Sequence, residues 1–435
     1  MQLQNSRGKW LNRIFYNLGI FQFLTFLRRG IFYTFMINYL YSLMHTATST
    51  ASLGTLNMVA SALGQNLIWG KICDRYKART RLIIAGETIA GITYILVFFA
   101  HRFLLDAGES FTAGLAIIFG LSFLEFFWSM SDVGWAALLT DVTTPKIRGR
   151  IVGILNFVAS LGRMVGIFVA GFLYAGGEGF RNGTIFFTVV LLLFAGAALM
   201  AFISTRVKKA NFTQTQNITV AETENTRETS VGNEKAYNWF LAALIIIVLG
   251  ASCINQIFLL FIKLPSGLNA SDGEMSIIIS AWTVGGMIAS ATSGRLADKI
   301  GREKTILAAL VLAIITPLLY GVAANFLLMA LIYGLNGISF WSIQTVSFTL
   351  AGDLIPETKR GRLFSRYNTV IALSWGPAGI LIGGPLADIQ VKILGATEYT
   401  AFLNTFYVSS IIVALGTALF SIKFLKKPAT EQPKL

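Results

Sequence analysis

A few charged side chains fall where the chain around them is otherwise apolar, and these are the residues with chemistry to do. Glu125 and Asp132 lie seven residues apart in an apolar run from about Phe111 to Leu139. On a helix that spacing puts both carboxylates on nearly one face, two turns or roughly 10 Å apart. Arg163 lies in the next apolar run, and Arg28 and Arg29 lie in the first. An ionisable group in hydrocarbon is costly, so it tends to face a cavity or a partner of opposite charge. Acids held beside fixed cations can bind a solute and can also carry a proton with it. Counting turns inward from the 141–150 loop pairs Arg163 with Glu125, by a margin of only about one residue, and brings Arg28 near the depth of Asp132. Asp132 is then the acid farther from Arg163 and is expected to carry the proton. Arg29 is expected to snorkel to the headgroups.

The elements that must hold these groups are membrane spans. The 435 residues are 54% hydrophobic and 13% charged, with a mean hydropathy of +0.66. That is too apolar for an ordinary soluble fold. A span needs about 20 apolar residues to cross a hydrocarbon core of roughly 30 Å. Runs of that length occur at about 18–44, 50–69, 82–100, 111–139, 151–174 and 184–204. Six more occur at about 238–262, 275–297, 305–324, 326–350, 363–389 and 399–424. Twelve spans of helix, with no sheet, are therefore expected. Between the two sets, residues 205–237 turn rich in Thr, Asn, Glu and Lys, which is linker composition. The expected domains are 1–204, a linker at 205–237, and 238–435 with a basic tail.

The net charge of +14 is an orientation signal and not a nucleic-acid footprint, because the basic residues crowd into alternate short loops. With an odd–even assignment the opposite loops hold only Arg102, Arg181, Lys263 and Lys392 of the 35 Lys and Arg residues. Both termini and the linker are thus expected in the cytoplasm, with the chain integral to the cytoplasmic membrane. The N-terminal apolar run shows no small-residue cleavage site before Arg28 and is expected to be retained. Cys73 and Cys253 suggest no disulfide framework.

The chain also repeats itself. Gly70-Lys71-Ile72-Cys73-Asp74-Arg75 returns as Gly294-Arg295-Leu296-Ala297-Asp298-Lys299, with Arg302 shortly after. Phe127-Trp128-Ser129 returns as Phe340-Trp341-Ser342, and Asp141 before Arg148-Gly149-Arg150 returns as Asp353 before Arg360-Gly361-Arg362. In that register Asp132 corresponds to the neutral neighbourhood of Gln344, a further candidate for the cavity. Asymmetric charge in a symmetric scaffold suggests a task, which adds to the case for Asp132.

The loop Gly-x-Leu-Ala-Asp-x-x-Gly-Arg at Gly294–Arg302 resembles the loop between the second and third spans of the major facilitator superfamily. Its upstream copy departs from the pattern at Lys77 and Ala78. The resemblance implies two six-helix bundles rocking about a central site. It also implies gating loops, here Gly70, Asp74, Arg75, Gly294, Asp298 and Arg302, that lock the cytoplasmic side shut. A second resemblance lies in the fifth span. Gly162-x-x-x-Gly166, followed by Gly171, stands where proton-coupled drug antiporters have Gly-x-x-x-Gly-Pro-x-x-Gly-Gly, with Ile167 in place of the proline. The eleventh span carries related small residues at Gly376, Pro377, Gly383 and Gly384. Small residues at this spacing let helices approach closely.

Glu87, two turns into the third span, reads as interfacial, and His45 and His101 read as solvated at extracytoplasmic ends. Asn255, Gln256, Tyr33, Tyr39, Trp282, Trp341 and Trp375 are candidate cavity linings. No metal-ligand cluster, nucleophile–base arrangement or nucleotide loop is visible, so neither catalysis nor a cofactor is expected. The expected function is secondary transport of a small organic solute, coupled to protons, with efflux favoured and the protein a monomer in the bilayer. An uncoupled facilitator and a transporter-shaped sensor or assembly factor are the alternatives.

Overall fold

The structure is a computed structural model. It describes residues 2–143, 145–211, 234–355 and 360–424, and the side chains of 15–143, 151–205, 234–355, 363 and 366–424. The Arg-Gly-Arg side chains at 148–150 and 360–362, most of the expected linker and the basic tail lie outside that set.

No strand occurs among the described residues. The first half holds α1 (Gln2–Met44), α2 (Ala47–Leu63), α3 (Gly70–Tyr76), α4 (Arg79–Asp106), α5 (Ser110–Val142), α6 (Pro145–Tyr174), a one-turn α7 (Glu178–Arg181) and α8 (Thr184–Asn211). The second holds α9 (Glu234–Ser252), α10 (Asn255–Lys263), α11 (Asp272–Ile300), α12 (Arg302–Leu319), α13 (Phe326–Leu354), α14 (Arg360–Trp375), α15 (Gly384–Lys392) and α16 (Glu398–Phe424). Ten helical segments among the described residues are long and apolar enough to cross a membrane. The other two of the twelve spans are α1, interrupted by its arginines, and α2, whose 17 residues run on through a π-turn at Gly64–Trp69 into α3. The expected linker narrows, because α8 continues to Asn211 and α9 begins at Glu234.

Local chemistry sets several ends. Ser271 and Glu274 form a reciprocal capping box at the start of α11, and Asn325 Oδ1 accepts from Leu328 N–H at the start of α13. Gly301, at φ +97°, closes α11 where a side chain would be strained.

The chain divides into two compact units, one of residues 1–44 and 56–226, the other of 45–55 and 227–435. In the first unit α1 packs on α6 and α8, and α4 on α5 and α8. In the second, α9 packs on α14 and α16, and α12 on α13 and α16. Matched by span order these are the same pairings, so the sequence repeat is also a packing repeat. One core cluster of the first unit gathers Leu18, Phe21, Ile83, Leu138, Leu155 and Met200. The second unit's core runs through α9, α12, α13 and α16.

Two spans read as continuous from sequence are broken. The seventh stops at Ser252 and restarts at Asn255, and the eleventh turns at Gly376-Pro377 and then runs through a π-turn at Gly379–Gly383. The breaks meet, since a side chain at Gly383 would collide with the Cys253 carbonyl. Ser409 Oγ and Cys253 Sγ both donate to the Gly250 carbonyl, at 2.7 and 3.1 Å, so its oxygen is satisfied beside the break. The start of α2 belongs to the second unit. There Asp388 accepts from the Ala47 and Thr48 amides, both at 2.9 Å, and caps the helix with a carboxylate.

Candidate functional site

The first unit brings five ionisable side chains together. Arg28 and Arg29 come from α1, Glu87 from α4, and Glu125 and Asp132 from α5. On α5, residues 125, 128 and 132 share one helical face, so Trp128 lies between the two acids. Glycines make the crossings close enough. Across α4–α5, a Cβ at Gly86 would lie 3.0 Å from Ser131 N, and one at Gly134 would lie 2.6 Å from the Arg79 carbonyl. Across α1–α6, side chains at Gly30 and Gly166 would strike the Arg163 and Leu27 carbonyls, and one at Gly162 would lie 2.5 Å from the Phe23 carbonyl. Gly162 and Gly166 thus act as a small-residue seam, which fixes the turn of α1 that carries both arginines.

Trp128 is the hub. Its indole Nε1 donates to Glu87 Oε1 at 2.8 Å, and Ser131 Oγ donates to the same oxygen at 2.8 Å. The Arg28 and Arg29 guanidinium carbons lie 4.8 and 4.3 Å from the Trp128 ring centroid, within cation–π range. Arg29 also pairs with Asp132 at 3.9 Å, with side-chain exposures of 34% and 43%. Behind this half-exposed pair, Arg28 and Glu87 are each only 2% exposed. Arg28 Nη1 donates to the Tyr94 hydroxyl at 3.5 Å, while its Nε and Nη2 have no acceptor among the described residues. Phe32 packs against Tyr94, Phe180 and Phe186 at 4.7, 5.6 and 5.3 Å and closes the next turn of α1 with a dry aromatic layer.

Glu125 is half-buried and makes neither an ion pair nor a hydrogen bond with a described residue. The charges acting on it most strongly are Arg29, Asp132, Arg28 and Glu87. This corrects the sequence reading, which paired Glu125 with Arg163 and let Asp132 stand apart. Depth counting fixes a residue's level but not the direction its side chain takes around the helix. Arg29, expected to snorkel, is the cation that meets Asp132. Glu87, expected at the interface, is buried because Trp128 and Ser131 satisfy its oxygen from α5. The signal was available, since Glu87 and Tyr94 lie seven residues apart and so share one face of α4.

The remaining candidates fall as follows. His101 is fully buried and not solvated, with Nε2 2.7 Å from the Tyr39 hydroxyl. Asp74, Arg75, Asp298 and Gly294 are exposed, and Gly70 is half-buried. The ion pairs at these loops involve other acids. Arg79 pairs with Asp141 at 2.9 Å and donates to the Cys73 carbonyl, and Arg302 pairs with Asp353 and donates to the Thr349 carbonyl. The repeated Asp141 and Asp353 thus anchor the arginine of each loop. In the second unit, Gln344 is half-buried on α13, Trp282 and Trp341 lie 5.8 Å apart, and Gln256 abuts Gly54 and Gly379. Gly376 accepts from Thr55 Oγ1, and Gly384 is crowded by Thr48. Gly171 lies half-buried on α6, and Pro377 sits in the turn that breaks the eleventh span. A cavity of about 240 Å³ at one end of the second unit, between Phe261, Tyr320 and Tyr399, is lined by uncharged residues. No grouping of three or more potential metal ligands occurs among the described residues.

Two helical units with matching pairings and buried intramembrane charge define an all-α membrane transporter. The Major Facilitator Superfamily model matches residues 18–268 and 243–435, and the chain belongs to that family of transporters, which are not enzymes. It is similar to the "Multi-drug resistance efflux pump PmrA" of Streptococcus pneumoniae, at 23% identity over 82% of each chain. Over 36% of this chain and 41% of the other it is 26% identical to the "Quinolone resistance protein NorA" of Staphylococcus aureus. An uncharacterized MFS-type transporter of Mycobacterium tuberculosis, Rv1877, is 23% identical over 37% of this chain, and the match spans only 21% of that protein. Among solved structures, an inward-facing bacterial homologue of the iron transporter ferroportin has a TM-score of 0.67 at 14% identity, covering 94% of this chain and 98% of that one. The nucleoside transporter NupG has a TM-score of 0.64 at 17% identity, covering 95% of this chain and all of that one. At such identities the likeness is one of fold.

Proposed function

We propose that this protein is a proton-coupled secondary transporter that moves a small organic solute across the cytoplasmic membrane by alternating access, in the direction of efflux. The observation that carries the reading is the charge cluster of the first unit. Three acids, Glu87, Glu125 and Asp132, face two cations, Arg28 and Arg29, within a membrane-spanning bundle. Charge in such surroundings has to be balanced nearby. Arg29 pairs with Asp132, and Glu87 accepts from Trp128 and Ser131 with Arg28 against the same indole. Glu125, with neither ion pair nor hydrogen bond to a described residue, is thus the acid left over. A proton is the smallest charge that can balance it, and a solute that takes or releases that proton is thereby coupled to the gradient. Glu125, in place of the Asp132 favoured by the charge asymmetry of the repeat, is the coupling acid.

Efflux is supported by the printed roles of PmrA and NorA, which are those proteins' own. The bias of basic residues toward one set of loops supports a cytoplasmic-membrane location with both termini inside. We take the working form to be a monomer. In the gating loops, Asp74 and Asp298 are the acids left exposed to make contacts that differ between states.

The test is uptake into proteoliposomes from a panel of labelled metabolites and drugs, with and without an imposed pH gradient. At least one solute should accumulate only with the gradient. Equal equilibration of every transported solute under both conditions would identify an uncoupled facilitator.

A further inference from the structure

Glu87 has no part in the coupling step as described, yet it is the most enclosed acid of the cluster. Its Oε1 is occupied by Trp128 and Ser131, and its Oε2 faces Gly196 of α8, where a Cβ would lie 3.9 Å away. The charges facing it are Arg28 of α1 and Asp132 of α5, and α8 presents Gly196 to it. Arg28 is the counterpart. It is 2% exposed, and two of its guanidinium nitrogens lack an acceptor among the described residues. The acids acting on it are Glu87 and Glu125, with Tyr94 and Tyr33 beside them. A buried guanidinium with idle donors is expensive to leave as it stands. Arg28 lies against the Trp128 ring, whose indole is bonded to Glu87 and which shares a helical face with Glu125, so both carboxylates are alternatives for it. Glu125 is in turn faced by Arg28 and Arg29 of α1, Asp132 of its own helix and Glu87 of α4. On the α2 side the neighbouring contact is the uncharged Asn57–Ser122 hydrogen bond.

We propose that Glu87 is a positioning residue that holds Arg28 off Glu125, so that Arg28 is shared between the two acids. Arg28 stays with Glu87 while Glu125 carries its proton, and it turns to Glu125 when that proton leaves. The proposal rests on reading the cluster as the proton-coupling site. It makes Glu87 the internal reference against which Glu125 competes, and it sets the pH at which Glu125 lets go of its proton.

The experiment reads the proton on Glu125 without any solute. Dicyclohexylcarbodiimide adds to protonated carboxyls in apolar surroundings, and modification of Glu125 can be followed by peptide mass spectrometry across a pH series on the full chain in lipid nanodiscs. Glu87→Gln keeps an oxygen to accept from Trp128 and Ser131 and removes only the charge. Arg28 then has Glu125 as its remaining carboxylate there, and the labelling midpoint of Glu125 should fall by about one pH unit, a tenfold change in proton affinity. Glu87→Asp should return the midpoint most of the way to that of the unaltered protein. Arg28→Gln should raise the midpoint by a comparable amount. An unchanged midpoint in Glu87→Gln overturns the proposal. If that variant does not fold, an unchanged midpoint in Arg28→Gln overturns it equally. Shifted midpoints alongside solute transport that ignores the pH gradient would support the relay and retire the coupled-transport reading alone.

Discussion

Gly166 offers the most direct perturbation of the scaffold that aims the arginines. A Cβ built there would strike the Leu27 carbonyl and lie 3.0 Å from both Gly30 Cα and Ile31 N. Carbon atoms settle at about 3.5–4.0 Å. To admit one methyl group, α1 must therefore retreat from α6 by roughly 0.5 Å or more at this level. Overpacking of this kind costs about 1–3 kcal/mol, whereas Gly→Ala in an open helix position gains about 1 kcal/mol from propensity. Gly19 and Gly153, on the same two helices, have no atom within 4 Å of their would-be Cβ and serve as internal controls. Thermal unfolding of the purified protein in detergent should show Gly166→Ala less stable than the unaltered chain, and Gly19→Ala and Gly153→Ala equal to it or more stable. The same retreat displaces Arg28 and Arg29 relative to Trp128 of α5, so transport should fall further in Gly166→Ala than in the controls. If Gly166→Ala unfolds at the temperature of Gly153→Ala with transport intact, the close α1–α6 crossing is not what positions the site.

Two further outcomes are expected. The Arg29–Asp132 pair is about one-third exposed on one side and more on the other, so a double-mutant cycle with Arg29→Gln and Asp132→Asn should return a stability coupling of at most about 1 kcal/mol; a much larger coupling would mean the pair is drier than its exposure indicates. A reporter inserted near Gly177 should read external and one inserted near Asn217 cytoplasmic, and the opposite assignment would overturn the orientation drawn from the basic loops.

The spans and the repeat were legible because hydropathy over twenty residues integrates many small transfer energies, and motif copies such as Phe127-Trp128-Ser129 and Phe340-Trp341-Ser342 survive single exceptions. Even so, the copies do different work. Trp128 is 2% exposed and donates to Glu87, whereas Trp341 is 37% exposed and lies against Gly286. Arg28, Glu125 and Asp132 stood out in the sequence, since their cost in hydrocarbon marks them whatever they touch, whereas Glu87 read as interfacial and Arg29 as snorkelling. The pairing of these side chains was not legible. Arg28 and Arg29 are neighbours in sequence but point about 100° apart on a helix, which sends one to the buried side with Glu87 and the other to the half-exposed side with Asp132. The breaks in the seventh and eleventh spans escaped for a related reason. Cys253 and Ile254 are as apolar as the helix around them, and what interrupts it is the approach of Gly383 from another span.

The central claim is that solute movement is tied to a proton on Glu125. It is tested most directly by comparing the unaltered protein with Glu125→Gln in proteoliposomes, using a solute that the unaltered protein concentrates under a pH gradient. Both the gradient-driven accumulation and the exchange of labelled for unlabelled solute at equal pH should be measured. Glu125→Gln should abolish the accumulation and leave the exchange, because the amide cannot release a proton but leaves the surrounding side chains in place. Accumulation that persists in Glu125→Gln, above all if Asp132→Asn abolishes it, would contradict the account.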